Sequence, residues 1–269
     1  MNILVCVKQV PDTTEIKIDP VTNTLIRNGV PSIVNPFDGY ALEAAARIKD
    51  KHPDTRIIVL SMGPEQAKNA LKECLGIAAD KAYLISGRAF GGSDTLATSY
   101  ILSCAIKKVA ELEGGFDAIF CGKQAIDGDT AQVGPQIAEK LHLPQITYAA
   151  EITKNGDEVT VKRMLEDGYM TIKVQTPCLL TCIKELNEPR YMSVGGVFEA
   201  YGKPLTTLGY EDLKDDPLID ATTIGLKGSP TNIFKSFTPP QKGVGMMLEG
   251  ADKATCEKLV GILTAKHII

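Results

Sequence analysis

Short apolar runs alternate with longer amphipathic segments through the first half of the chain. The apolar runs are rich in Ile, Val and Leu without strict alternation, which is typical of strands covered on both faces; they lie at residues 2–7, 56–62, 81–86 and 117–122. Helix-like segments lie at residues 38–51, 65–76, 93–113 and 130–141. This alternation predicts an α/β fold: a doubly wound, mainly parallel, Rossmann-like sheet with the flavodoxin-like strand order.

The pattern changes after Pro144. One further strand and then an antiparallel excursion are predicted, with turns at Asn155-Gly156-Asp157 and near Asp167-Gly168. These elements add antiparallel strands to the parallel sheet.

Pro and Gly recur from about Glu185 onward, and only residues 252–266 resemble an ordinary helix. Such a segment buries little surface on itself. We therefore expect an α/β domain at residues 1–184 and, at residues 185–269, an extended C-terminal arm that packs on another chain. A loosely attached surface tail is the alternative.

Composition and charge narrow the classes of partner. The chain is 44% hydrophobic and 23% charged, with a net charge of −4 and scattered basic residues. Neither nucleic acid nor an anionic membrane surface is an expected partner. The apolar runs are far shorter than the roughly 20 residues that span a bilayer. Because no signal peptide is recognisable at the N-terminus, we expect a cytoplasmic protein.

The seven cysteines form no CxxC pair. An odd number of cysteines on apolar elements indicates reduced, buried thiols. Cys178 and Cys182 share one face of a predicted strand but are separated along it. The three histidines stand apart from acidic and thiol groups, so we expect no metal site.

The most informative turn is GKQAIDGDTAQVG, residues 122–134, because it follows an apolar strand and precedes a helix-like segment. Ligands of parallel sheets bind at such strand ends. Asp129 is the expected N-cap of a helix that starts at Thr130, so that the N–H groups up to Gly134 face an anion. Gly128 and Gly134 would let a phosphate approach the main chain closely. Lys123 or the helix dipole would offset the charge of Asp127.

Two interpretations of this turn stay open, a capped helix after a glycine turn or a mononucleotide-like grip on phosphate. It is neither the GxxxxGK[ST] loop nor the GxGxxG fingerprint. A second junction, GGSDTLATS at residues 91–99, offers Ser93 or Asp94 as a cap, and Thr95 and Thr98 as hydroxyl donors on one helix face. Asn35, in NPFDG, either contacts a ligand or braces a turn.

Several stretches together resemble the beta subunit of electron transfer flavoproteins, over nearly the whole chain. They are VCVKQVPDT, NPFD, MGP, GKQAIDGDTAQVGP, VKRMLEDGYMTIKVQTPCLLT and NEPRYMSVGG. One departure is Gly168-Tyr169-Met170, where the family signature usually has an acidic or amide residue two positions after the glycine. That departure puts one local contact in doubt, not the resemblance.

The resemblance implies a heterodimer with an alpha subunit, around which the C-terminal arm wraps. It implies that the beta site holds AMP, or FAD in the electron-bifurcating members, while the alpha subunit carries the other FAD. The backbone around Cys6, Asn35 and Met62 would flank the adenosine, and residues 128–134 would take the phosphates. The residues that the resemblance assigns to the cofactor are Cys6, Asn35, Met62, Asp94, Thr95, Thr98, Gln124, Asp127, Gly128, Asp129, Thr130, Ala131, Gln132, Val133 and Gly134.

NEPRYMSV resembles the loop that docks an acyl-CoA dehydrogenase, which assigns Arg190 and Tyr191 to the partner and Val194 to the apolar anchor position. AFGGSDTLATS and GLKGSPTNIFKSFTPP resemble sequences of the bifurcating members. By this resemblance NADH would reduce the beta flavin, one electron would pass to ferredoxin or flavodoxin, and the other would reach the dehydrogenase through the alpha flavin.

Two rival functions remain. In the first, AMP serves only to stabilise the dimer. The second is a free-standing enzyme with an adenylating or hydrolysing site, against which count the missing P-loop lysine and the lack of any clustered His or Cys nucleophile.

Overall fold

The computed structural model describes residues 1–12, 31–231 and 243–269. The chain divides into two compact units, Met1–Asn232 and Ile233–Ile269. In the second unit the described residues contain one helix, Lys253–Ala265, whose N-cap Asp252 accepts a hydrogen bond from the Thr255 N–H.

A nine-stranded sheet forms the centre of the first unit. In chain order the strands of this unit are β1 (Asn2–Cys6), β2 (Gln9–Pro11), β3 (Ser32–Val34), β4 (Arg56–Met62), β5 (Lys81–Ile85), β6 (Ala118–Gly122), β7 (Gln145–Asn155), β8 (Glu158–Met164), β9 (Tyr169–Gln175), β10 (Cys178–Cys182) and β11 (Leu205–Leu208). The sheet order is β11-β5-β4-β1-β6-β10-β7-β8-β9, and β2 and β3 form a separate antiparallel pair.

The parallel, doubly wound α/β class predicted from the sequence is confirmed. All neighbouring strands from β11 to β7 run parallel. At the end of this sheet β8 pairs antiparallel with β7 on one side and with β9 on the other. The order β5-β4-β1-β6 is the Rossmann order 3-2-1-4, whereas the sequence analysis expected the flavodoxin-like order. Apolar runs identify strands, but the side of β1 on which each crossover returns depends on how the helices pack. The strand order therefore reverses between β1 and β6: β4 and β5 lie on one side of β1, and β6 lies on the other.

Helices cover both faces of the sheet. They are α1 (Pro36–Lys51), α2 (Lys68–Ile77), α3 (Thr95–Glu113), α4 (Val133–Lys140), α5 (Val194–Glu199) and α6 (Tyr210–Leu213), and the helix of the second unit is α7. Ile3 and Val5 of β1 join the core beneath α1 and α2, whereas Leu4 joins the core beneath α3 and α4. Because neighbouring side chains on a strand point to opposite faces, a central strand must be apolar at every position.

The antiparallel excursion is confirmed where the sequence placed it. β7 and β8 are joined by Gly156 and Asp157, and Gly156 has a φ of 63°. The left-handed backbone at this turn is the conformation that glycine adopts without steric cost.

Residues 185–231 lie in the first compact unit, whereas the sequence analysis assigned them to the C-terminal arm. The reason is that β11 pairs in parallel with β5 and extends the sheet. Lys203 Nζ also donates to the carbonyls of Leu75 and Ala79 at 2.8 and 2.9 Å, just where α2 ends. A segment rich in Pro and Gly is thus held by contacts that are distant in sequence.

Five of the seven cysteines are buried, as predicted, but Cys6 is half-buried and Cys256 is exposed. No helix within the described residues is both long and apolar enough to cross a bilayer. The described part of the chain likewise contains no cluster of three or more potential metal ligands.

The amino edge of the sheet is tied together by Glu113, whose side chain is only 4% exposed. Its carboxylate accepts hydrogen bonds from Lys81 Nζ at 2.6 Å, from Arg56 Nη2 at 2.7 Å and from the Tyr83 hydroxyl. Burial would raise the pKa of this carboxyl, but the three donors outweigh it and lower the pKa to about 2.

Replacing Glu113 by Gln should lower the free energy of unfolding at pH 7 by about 2 kcal/mol, because the variant loses the charge that two cations bind. The stabilisation is fully present above the unfolded-state pKa of 4.5 and is lost as the pH falls towards about 2. Urea unfolding at pH 7 and near pH 3 should show the difference shrinking. Glu111→Gln is the matched control, because its pair with Lys108 is exposed. An equal loss at both pH values would contradict the assignment.

Candidate functional site

A cavity of about 870 Å³ opens at the carboxyl ends of the central parallel strands. Its walls come from residues 6–8 after β1, 62–65 after β4, 85–88 after β5 and 121–125 after β6. Open α/β sheets bind ligands in the crevice outside the carboxyl ends of their strands, where the strand order reverses. The cavity lies at that place in this sheet.

Most of the residues selected from the sequence come together around this cavity. Those that line it are Cys6, Asn35, Met62, Asp94, Thr95, Thr98, Gln124, Gly128, Thr130, Ala131, Gln132, Val133 and Gly134. Asp127 and Asp129 are not among the lining residues. Their acidic groups therefore stay out of the wall that an anionic ligand would face.

The charge of Asp127 is balanced by Lys8. Lys8 Nζ lies 2.7 and 2.9 Å from the two carboxylate oxygens of Asp127, whose side chain is only 7% exposed. The sequence analysis gave this role to Lys123 or to the helix dipole, and did not identify Lys8. Lys123 instead lies over the rings of Phe37 and Tyr148, with its ammonium 5.9 and 5.4 Å from the ring centroids.

The predicted cap at Asp129 is also wrong. Asp129 and Ala131 have φ values of 51° and 52°, so the backbone is left-handed at both residues and no helix can start there. α4 begins at Val133, and Asp129 Oδ1 accepts a hydrogen bond of 2.6 Å from Gln124 Nε2. This contact fixes the loop to itself.

The beginning of α4 is open to a ligand. Its N-cap, Gln132, makes no side-chain capping bond, and Val133 and Gly134 line the cavity. The first N–H groups of a helix have no partner inside the helix, and they carry partial positive charge. Such an end of a helix suits a phosphate.

Gly134 itself serves the packing of the fold. A Cβ at this position would stand 2.9 Å from Thr181 Cγ2 of the neighbouring strand, whereas a Cβ on Gly128 would meet nothing within 4 Å. Gly134 is thus required by the close contact of α4 with β10. The sequence analysis had ascribed both glycines to the approach of a phosphate.

Asn35 braces the loop after β6. It is fully buried, its Nδ2 donates to the Gln124 carbonyl at 2.8 Å, and its Oδ1 accepts from the Ile126 N–H at 3.1 Å. Of the two roles left open for Asn35, this is the one that the side chain performs. An amide suits the position because it donates and accepts at once.

Asp38 is a functional candidate that the sequence analysis missed. Its buried carboxylate accepts from the Lys8 N–H at 2.7 Å and from the Gly122 N–H at 3.1 Å, and it lines the cavity. Burial raises its pKa to about 7, although the hydrogen bonds that it accepts oppose this shift. Its charge in the cavity wall therefore changes around neutral pH. Its position in the first turn of α1, after Pro36, made it look like an ordinary helix-start residue.

Basic residues of the wall were missed as well. Lys8 and Arg88 line the cavity together with Lys123. Each follows the carboxyl end of a central strand, which is a signal that the sequence contained. Because Lys8 is paired with Asp127, the charges that favour an anionic ligand are those of Arg88 and Lys123. The same wall also contains the carboxyl groups of Asp38, Glu65 and Asp94.

The start of α3 forms a further part of the cavity wall. Asp94 is confirmed as its N-cap, since Oδ1 accepts from the Ala97 N–H at 2.9 Å. Oδ2 accepts from the Thr231 N–H at 3.1 Å, so both carboxylate oxygens are used within the chain. Thr95 Oγ1 donates to Gln132 Oε1 at 2.8 Å and so connects the start of α3 to the N-cap of α4.

The segment assigned to a partner lies apart from these walls. Arg190 binds Glu43 and Asp50 of α1. Tyr191 and Val194 are 98% and 78% exposed. The second sequence from which bifurcating membership was inferred, GLKGSPTNIFKSFTPP, lies largely outside the described residues.

A family model for the electron transfer flavoprotein domain matches residues 22–209. The chain belongs to the electron transfer flavoprotein family. Three relatives match it over the full length of both chains. They are the acryloyl-CoA reductase electron transfer subunit gamma of Anaerotignum propionicum, 58% identical, the caffeyl-CoA reductase-Etf complex subunit CarD of Acetobacterium woodii, 54% identical, and the electron transfer flavoprotein subunit beta of Megasphaera elsdenii, 53% identical.

This electron transfer flavoprotein chain should tolerate a methyl group at Gly128 but not at Gly122. A Cβ on Gly122 would stand 2.3 Å from Asp38 Oδ1 and 2.7 Å from Phe37, so Gly122→Ala must separate the ends of β1 and β6 from α1. We expect a loss of about 2 kcal/mol or more for Gly122→Ala and less than about 0.5 kcal/mol for Gly128→Ala. Denaturant unfolding of the full chain measures both. Equal stabilities of the two variants would contradict the packing described.

Proposed function

We propose that this chain binds FAD in the cavity and, with an alpha subunit that carries a second FAD, passes electrons between NADH, ferredoxin or flavodoxin, and an acyl-CoA dehydrogenase in the cytoplasm. Its family function is electron transfer. The observation that carries the cofactor proposal is the cavity itself, which joins the open start of α4 to a long wall formed by three further strand ends.

The dimensions favour FAD over AMP. Small-molecule sites commonly measure roughly 300–1,000 Å³, and this cavity of about 870 Å³ is near the upper limit. A mononucleotide at the start of α4 would leave the wall near Met62 and Arg88 without a ligand. A dinucleotide extends along it.

Each wall has a separate task in this proposal. The N–H groups of Val133 and Gly134, with the Thr130 hydroxyl, would hold phosphate oxygens. Cys6, Met62 and the backbone near Asn35 would flank the adenosine. Thr95 and Thr98, at the start of α3, would offer hydroxyl groups to the flavin ring.

A bound flavin supplies the capacity to accept a hydride and to release electrons singly. The chain therefore needs no general base. Its residues bind the cofactor, exclude water and set the charge nearby. Arg88 and Lys123 would favour an anionic ligand, and Asp38 would change the charge of the wall as it titrates around pH 7.

The acyl-CoA dehydrogenase is proposed from two observations. The names of two relatives describe electron transfer subunits of acryloyl-CoA and caffeyl-CoA reductases. In this chain the side chains of Tyr191, before α5, and of Val194, Val197 and Phe198, on α5, are exposed. A cluster of exposed apolar side chains is typical of a protein contact site.

The second candidate function is that of a family member with structural AMP in the same cavity. The volume of the cavity favours FAD, but a phosphate would bind the start of α4 with either nucleotide. The two candidates therefore differ in the content of the cavity, not in its phosphate end.

The cofactor content of the coexpressed heterodimer tests this proposal. We expect two FAD and no AMP per heterodimer, measured by absorbance and by chromatography of the nucleotides released on denaturation. One FAD with one tightly bound AMP would support the second candidate instead. Release of neither nucleotide from the beta site would exclude both.

Thr130→Asp should empty the cavity of this chain while leaving the flavin of the alpha subunit bound, because a carboxylate would face the phosphates. A like charge about 4 Å from a phosphate costs roughly 1–4 kcal/mol, which is roughly a 5- to 900-fold loss of nucleotide affinity. Thr130→Asn is the matched control, since it has the same shape without the charge. Nucleotide per heterodimer is the readout. Full occupancy in the Asp variant would show that the phosphates lie elsewhere.

A further inference from the structure

The side chain of Arg190 is bound entirely within the chain. Its Nε and Nη2 donate to the Glu43 carboxylate at 2.8 and 3.2 Å, and its Nη1 and Nη2 donate to the Asp50 carboxylate at 3.2 and 2.6 Å. Glu43 and Asp50 lie two turns apart on α1. Two edges of the guanidinium thus each bind one carboxylate, the geometry in which arginine pairs most strongly.

The Glu43 carboxylate needs this partner because its side chain is only 4% exposed. Arg47 Nε supplies one hydrogen bond to Glu43 at 2.8 Å, and the backbone N–H of Arg190 adds another at 3.2 Å. Asp50 is more open, and the hydrogen bond from Arg190 holds the pKa of Asp50 below its usual value. Four of the five guanidinium N–H groups are thus taken, so a second carboxylate, on a partner protein, could not make a two-bond pair with Arg190.

The segment that follows is also fixed at its far end. Gly196 lies so close to α2 that a Cβ on it would stand 2.2 Å from the Gly76 carbonyl oxygen. Ser193 Oγ accepts from the Gly196 N–H at 3.0 Å and caps α5. The segment is therefore attached to α1 through Arg190 and to α2 through Gly196. Between these two points Tyr191 and Val194 project into solvent.

We propose that Arg190 is a positioning residue, which holds residues 191–198 on α1 in the conformation that docks the acyl-CoA dehydrogenase, and that it makes no ion pair with that partner. The proposal rests on the docking surface of the proposed function. It replaces the direct partner contact that the family resemblance assigns to Arg190. A segment fixed before binding loses less conformational entropy when it binds.

Asp50→Asn distinguishes positioning from direct contact. If Arg190 positions the segment, then loss of Asp50 must weaken docking, because the Asp50 carboxylate holds Arg190 in place. If Arg190 binds the dehydrogenase directly, then loss of Asp50 frees the guanidinium and leaves docking unchanged or tighter. The Asp50 side chain is 58% exposed, so the variant should fold normally.

The experiment uses the coexpressed heterodimer with Arg190→Gln, Asp50→Asn, the double variant, and Lys51→Gln as the matched control, which removes one positive charge at the end of α1. Hydrogen exchange of the amides in residues 191–199 is measured without the dehydrogenase. We expect about tenfold faster exchange in both single variants. The control should exchange like the wild type.

Affinity for the acyl-CoA dehydrogenase is measured by calorimetry on the same set. We expect about tenfold weaker binding in each single variant, and no further loss in the double variant, because both changes break one interaction. Arg190→Lys, which keeps the charge but not the two-edged geometry, should be intermediate. Unchanged exchange in both single variants, or unchanged binding with Asp50→Asn, would overturn the proposal. If even the wild type bound no dehydrogenase, the proposed function and the docking role would fail together. Hydrogen exchange would still decide whether Arg190 holds residues 191–198 on α1.

Discussion

The buried carboxyl group of Asp38 joins the ends of two central strands. It accepts hydrogen bonds from the Lys8 N–H after β1 and from the Gly122 N–H at the end of β6, and it comes from the first turn of α1. β1 and β6 are the strands beside which the sheet order reverses. One side chain therefore ties the carboxyl ends of these two paired strands to α1, beside the cavity.

The neighbouring groups follow from this arrangement. Asn35, three residues earlier, holds the loop after β6, and Lys8 pairs with Asp127 of the same loop. As a result two acidic groups, Asp127 and Asp129, are kept out of the cavity wall, and the N–H groups at the start of α4 face it. A loop that contains two carboxylates can thus border a site for an anion because each carboxylate has a donor within the protein.

A different set of ion pairs governs the exposed apolar segment after Arg190. There the charged groups lie between the segment and α1, with Glu43 buried and Asp50 exposed, and the apolar side chains face outward. The cavity has the opposite arrangement, with lysine and arginine at its wall. In our proposal the cavity holds an anionic cofactor, and the exposed apolar segment binds another protein.

The sequence by itself determined the α/β class, the central strands, the turn at Gly156 and most of the lining of the cavity. Those features depend on local signals: apolar runs, turn residues, and the rule that parallel strands place their carboxyl ends at one edge. Only the tertiary structure decided the strand order, the Lys8–Asp127 pair, the role of Asp38 and the pairing of Arg190. Each of these depends on groups between 30 and 147 residues apart in the chain, and a left-handed backbone at Asp129 and Ala131 moved the start of α4. Local patterns carry no signal for such contacts, because the partner is chosen by packing after the elements have formed.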